Sequence, residues 1–177
     1  MSTRSLDNVI KGVWIRSLSI LAQFTFPAGI TVCVHRLRGV KIGKGAKISR
    51  SVQIDDSRPD LVEIGDKVWV TAGVMILCHQ RNLNTHTAGK AVMDNELLYN
   101  RVVIQKGAHI GIGAIIMPGV TIGEGAVIGA GSVVTKSIPP YCIAAGVPAR
   151  ILRELNKEKA LHININKETR VPETAIV

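Results

Sequence analysis

The sequence predicts an all-β fold of the parallel β-helix type, on three observations. Between Val103 and Ile138 an aliphatic residue recurs at every sixth position: Ile104, Ile110, Ile116, Ile122, Ile128 and Val134. Six hits in one fixed phase arise by chance roughly once in a thousand trials. Two places before each later aliphatic stands a small or β-branched residue, namely Ala108, Ala114, Val120, Ala126 and Ser132, which alternation along a strand points to the same side. Glycine often follows the aliphatic (Gly111, Gly123, Gly129) and returns two places later (Gly113, Gly125, Gly131), where a sharply turning chain needs a residue without Cβ. Three such sixes close one triangular coil, and a coil of this kind buries its inner face only by stacking on its neighbours.

Length and composition agree. At 177 residues the chain has one domain's length. Aromatics make up only 3%, which suits a narrow prism filled by Ile, Val and Ala. The formal charge of +9 is compatible with phosphate-bearing ligands. No stretch interleaves basic with aromatic residues as single-strand binders do, so nucleic acid is not the expected partner. Cys33, Cys78 and Cys142 are odd in number and far apart, which argues against a disulfide framework and for a reducing compartment, the cytoplasm.

Along the chain, residues 1–39 form a leader. A helix is expected from about Leu6 to Phe24, with Trp14, Leu18 and Leu21 on one face, and then a second short apolar segment. This leader reads as a cap over the open end of the prism or against a neighbouring subunit. The alternative is peripheral contact with an anionic membrane through Arg4, Lys11 and Arg16. The β-helix itself is expected over 40–147. Ile42, Ile48 and Ile54 open it in one phase; the next lines start at Ile64, Val70 and Ile76, so four extra residues lie within Asp55 to Glu63. The repeat then breaks at Cys78 and resumes only near Val102, leaving an excursion over 78–101. Loops of that length inside a compact fold are usually functional. After Gly146-Val147-Pro148, the run Ala149 to Leu161 reads as a helix within the final segment, 148–177.

The lines IGIGAI, IMPGVT, IGEGAV and IGAGSV resemble the hexapeptide repeat of the left-handed β-helix acyltransferases. Handedness comes from that resemblance alone, since parallel crossovers otherwise prefer the right hand. Within the family the chain is similar to the sugar O-acetyltransferase branch, which includes galactoside, maltose and nodulation-factor acetyltransferases and small polysaccharide O-acetyltransferases. Four features carry this in order: IGDKVWV, His79 at the head of a long loop, the repeats ending GAGSVVTKSIPP, and GVPAR.

The resemblance implies an acetyl-CoA-dependent O-acetyltransferase without a metal. It makes His79 the general base, and the chemistry agrees: a neutral imidazole can take the proton of a hydroxyl as it attacks a thioester. It also implies a homotrimer with acetyl-CoA lying between adjacent subunits. Gly111, Ala130, Thr135 and Lys136 would line that groove, and Arg150 and Arg153 would meet the nucleotide phosphates, which suits their planar fork of donors. Asp56 would bind the hydroxyls of a saccharide acceptor, consistent with surface polysaccharide biosynthesis. His109 stands where many relatives carry Trp beside the acceptor pocket, so the acceptor itself stays open. Cys78, next to the base, reads as a packed residue rather than a thiol nucleophile. Three other readings are weighed: a non-catalytic β-helix scaffold; an acetyltransferase for an antibiotic or serine; and a zinc enzyme like the γ-class carbonic anhydrases, whose H-x4-H ligand pair this chain lacks.

Overall fold

The computed structural model describes residues 3–24 and 28–155. Two helices come first, α1 (Thr3–Phe24) and α2 (Ala28–Leu37). Four triangular coils follow, and each contributes one short strand to each of three walls. Wall A holds β1 (Lys41–Ile42), β4 (Val62–Ile64), β9 (Val102–Ile104) and β12 (Thr121–Ile122). Wall B holds β2 (Lys47–Ile48), β5 (Trp69–Val70), β10 (His109–Ile110) and β13 (Val127–Ile128). Wall C holds β3 (Gln53–Ile54), β6 (Met75–Ile76), β11 (Ile115–Ile116) and β14 (Val133–Val134). Every pairing within these walls is parallel, so the chain climbs one rung per circuit.

The aliphatic phase read from the sequence is the inner ladder. Ile64, Ile104 and Ile122 stack on wall A, Val70, Ile110 and Ile128 on wall B, and Ile76, Ile116 and Val134 on wall C, all buried. The small residues two places earlier are also inside; Ala108, Ala114, Ala126 and Ser132 leave just enough room at the corners. The two glycine rows serve different ends. A Cβ on Gly111 would come within 2.6 Å of the Ala130 amide nitrogen in the coil above, whereas Gly113 is needed for its φ of +67°.

The leader covers the first coil. Val32 of α2 joins the prism core, while Leu18 of α1 packs with Val34. Trp14, expected on the packed face with Leu18, is instead more than half exposed. Leu21 lies where side chains are outside the described residues. The leader as a cap therefore corresponds to what the helices do, and no helix among the described residues is long and apolar enough to cross a membrane.

The C-terminal helix is corrected. Residues Ala149–Glu154 form a strand, β16, antiparallel to β15 (Cys142–Gly146), which itself extends wall B. The run is rich in helix formers, but β15 would otherwise present a bare row of N–H and C=O groups, and pairing with them outweighs a weak propensity. The rest of the expected helix, and the tail to Val177, lie outside the described residues.

Because Ile116 sits at the centre of the ladder with no exposed surface, Ile116→Ala should cost about 2–5 kcal/mol, read as a lowered midpoint in urea unfolding.

Candidate active site

The site is built at one corner of the prism, where wall C hands over to wall A. From Ile54 to Ile76 to Ile116 the register advances by 22 and then 40 residues, against 18 from Ile116 to Val134. Both surpluses leave from this corner, one coil apart. The first is the turn after β3, with a 3-10 segment at Pro59–Leu61. The second includes a hairpin of β7 (His79–Arg81) and β8 (Leu97–Tyr99). Stacking places the roots of the two side by side, and the Asp55 N–H donates to the Ile76 carbonyl at 2.9 Å.

Asp55 then reaches His79. Its carboxylate is 1% exposed and accepts four bonds: from the Ser57 N–H (2.9 Å) and hydroxyl (2.5 Å) on Oδ1, and from the Cys78 N–H (2.9 Å) and His79 Nδ1–H (2.5 Å) on Oδ2. Burial alone would raise its pKa. The bonds from Ser57, Cys78 and His79 outweigh burial and hold the carboxyl well below the usual range. An ionised carboxylate only accepts, so the ring proton of neutral His79 sits on Nδ1 and the lone pair on Nε2. The His79 side chain is 40% exposed. It opens on a cleft of about 370 Å³ walled also by Arg16 and Ser19 of α1 and by Asp56, Ser57 and Leu77. The pair thus offers a base whose conjugate acid is stabilised from behind.

Arg38, just past α2, braces this corner from inside. Its side chain is fully buried, and NH2 donates to the Ile54 carbonyl (2.8 Å), the Asp55 carbonyl (3.3 Å) and Asp56 Oδ1 (2.6 Å), while NH1 donates to Nδ1 of buried His35 (2.9 Å). Asp56, expected to bind an acceptor, is thereby oriented by an arginine and still half exposed on the cleft. Cys78 is buried, donates its thiol to the Arg58 carbonyl, and has its pKa pushed up to about 12 by burial and by Asp55. It is a poor thiolate.

The other residues singled out in the sequence do not converge on His79. Thr135 and Lys136 leave β14 at the same corner two coils on, both exposed. Two coils correspond to about 10 Å at the usual strand spacing. Gly111 and Ala130 stack on each other at the neighbouring corner, between walls B and C. Arg150 and Arg153 are exposed on β16. His109 lies on wall B, across the prism from His79, where its ring meets Trp69 edge-on at 5.1 Å in the coil below. One chain therefore brings together His79 and Asp56, sets Thr135 and Lys136 two coils further along the same edge, and leaves the rest elsewhere on the prism.

Residues 101–136 match the model of the bacterial transferase hexapeptide (six repeats). The protein CapG of Staphylococcus aureus is 36% identical over 121 residues, covering 68% of this chain and 69% of CapG. The chain belongs to the hexapeptide-repeat acyltransferase family. Another hexapeptide transferase relative, galactoside O-acetyltransferase of Escherichia coli, is 42% identical over 96 residues, which is 54% of this chain but 45% of that enzyme. In fold, a hexapeptide-repeat acetyltransferase of Vibrio cholerae, solved with acetyl coenzyme A, superimposes with a TM-score of 0.70 at 23% identity, covering 88% of this chain and 93% of that one. The prism is accordingly the left-handed parallel β-helix of the hexapeptide transferases.

Sequence reasoning missed Asp55 and Arg38. The phase arithmetic held the signal for Asp55: if Ile54 stacks on Ile76, the residue after Ile54 lies beside the root of the second loop. Arg38 had none, because a basic residue after a helix reads as solvated.

The corner's electrostatics predict an acid sensitivity. Burial, then the charge of Arg38, lowers the His35 pKa to about 4 from 6.5. The unfolded chain therefore binds a proton near pH 6.5 that the folded one refuses until about pH 4, and folding weakens as pH falls through that window by roughly 3 kcal/mol. His35→Gln should flatten the slope of urea-derived stability between pH 6.5 and 4. Asp55 acts with the same sign in the range below: its depressed pKa gives stability present above the unfolded carboxyl value and lost only at lower pH.

Proposed function

We propose that the protein is an acetyl-CoA-dependent O-acetyltransferase acting on a hydroxyl of a saccharide, with His79 as general base. The observation that carries this reading is the Asp55–His79 pair, which leaves Nε2 free at the rim of a cleft. The acceptor hydroxyl gives its proton to Nε2 as its oxygen attacks the thioester carbonyl carbon, and Asp55 stabilises the imidazolium that forms. The tetrahedral oxyanion collapses by breaking the C–S bond, and the departing thiolate takes the proton back from His79. Acetyl ends on the sugar oxygen and the thiol on CoA. No acyl-enzyme intervenes, because the one sulfur beside His79 is buried and held protonated.

The donor's requirements are met by exposed groups along the prism. Lys136 stands above the His79 corner, and Arg150 and Arg153 stand higher still on β16. This order suits a donor whose phosphates are separated from its thioester by an extended arm. The edge of Gly111 and Ala130, where coils approach too closely for a side chain on Gly111, gives such an arm a smooth wall. Gly111 and Ala130, and Arg150 and Arg153 on β16, lie away from the His79 edge, and a trimer resolves the separation by setting one chain's edge against its neighbour's. The hydroxyls of the sugar would meet Asp56, fixed by Arg38. A role in building a surface polysaccharide agrees with this acceptor class.

With acetyl-CoA and a panel of sugars, acceptor-dependent CoA release should fall about 10²–10⁴-fold in His79→Ala and by at least tenfold in Asp55→Asn. Cys78→Ala should retain turnover within a few-fold, and its loss would point to an acyl-enzyme instead. Arg150→Ala and Arg153→Ala should raise KM for acetyl-CoA while leaving kcat largely unchanged, as initial-rate kinetics would show.

A further inference from the structure

The cleft at His79 continues. Past Arg16, Asp56 and Ser57, which border both parts, it opens into a second cleft of about 710 Å³ between α1 and the turn after β3. Clefts of this size hold small molecules, and the charges in this one do not balance. Asp56 is taken by Arg38, and Asp60 by Arg58, whose Nε and NH2 each donate to it at 2.9 Å. Lys11 and Arg16 form no ion pair among the described residues. Lys11 contributes only a minor share to holding the Asp60 carboxyl below its usual range, after Arg58. Two surplus cations therefore line a concave wall, with Arg16 at the junction of the two clefts.

The rest of the wall is shaped for a ligand rather than for packing. Gly12 stands inside α1, where glycine weakens a helix relative to alanine, and a Cβ there would meet nothing within 4 Å. Its missing side chain widens the second cleft, which it lines. Trp14 and Leu37, both well exposed, add apolar surface to the same wall.

We propose that this second cleft receives the phosphate end of the acceptor, which is a glycosyl phosphate ester. The sugar ring lies at His79, the phosphates against Arg16 and Lys11, and the esterified group against Trp14 and Leu37. This rests on the transferase reading of His79. The same chemistry occurs in sugar nucleotides and in prenyl-diphosphate-linked sugars, and the two differ only in what would cover Trp14.

The test uses probes that carry the diphosphate without the sugar: UDP for the nucleotide and farnesyl diphosphate for the lipid. Each is titrated calorimetrically into the full chain with CoA present in saturating amount, so that the donor groove does not compete. At least one should bind saturably below about 1 mM, and which one binds names the source. The double variant Lys11→Ala, Arg16→Ala should weaken that binding at least tenfold with CoA affinity unchanged. Gly12→Leu, which fills the cleft without altering charge, should weaken it comparably. Binding of neither probe, or binding indifferent to both variants, overturns the proposal. Neither readout needs turnover, so loss of the His79 mechanism and loss of this site are separate results.

Discussion

Everything here depends on parallel stacking of coils that cannot bury their inner faces alone. Each strand of the four coils is two or three residues long, too short to hold itself together. Stability comes from the continuous column of Ile and Val and from backbone bonds passed from rung to rung. The constraint is strict in one respect: any inserted segment must return the chain in the same phase, or a whole rung turns its aliphatic residue outward. It is permissive in another, since a corner can release a segment of any length that meets this condition.

The candidate site exploits that permission. Two insertions of unlike length leave the same corner on consecutive rungs, so residues 24 apart in sequence, Asp55 and His79, meet at hydrogen-bond distance. The ladder supplies their spacing. Arg38 supplies the remaining rigidity, since it ties the carbonyls of Ile54 and Asp55 and the carboxylate of Asp56 to the end of α2. The cost of burying that guanidinium is offset by oxygen acceptors and a neutral histidine, and the bill falls due as acid sensitivity at His35.

The ladder was legible in the sequence because its period is short and its inner residues are of one kind. The corner excursions were legible as breaks in phase, and His79 through its place at the head of the second one. What they touch was harder to read. Asp55 and Asp56 are indistinguishable by type, and only register tells that the first turns inward to His79 while the second faces the cleft. Ala149–Glu154 misled because propensity is local, whereas the open edge of β15 that captures it is not. Trp14 misled in the same way: the helical period places it near the apolar face of α1, yet its surroundings leave it on a cleft wall. His109 looked like a lost aromatic, and the strand below sets Trp69 beside it.

The two helices before the prism have a consequence for the molecule's length. A stack of near-identical rungs contains no instruction to stop, and its first rung is a template for another chain's last. α2 lies against β1 and β2, and α1 against β3, so that template is obstructed on all three walls. Head-to-tail growth into fibres is thereby blocked at its starting face, which leaves the sides of the prism as its open surfaces.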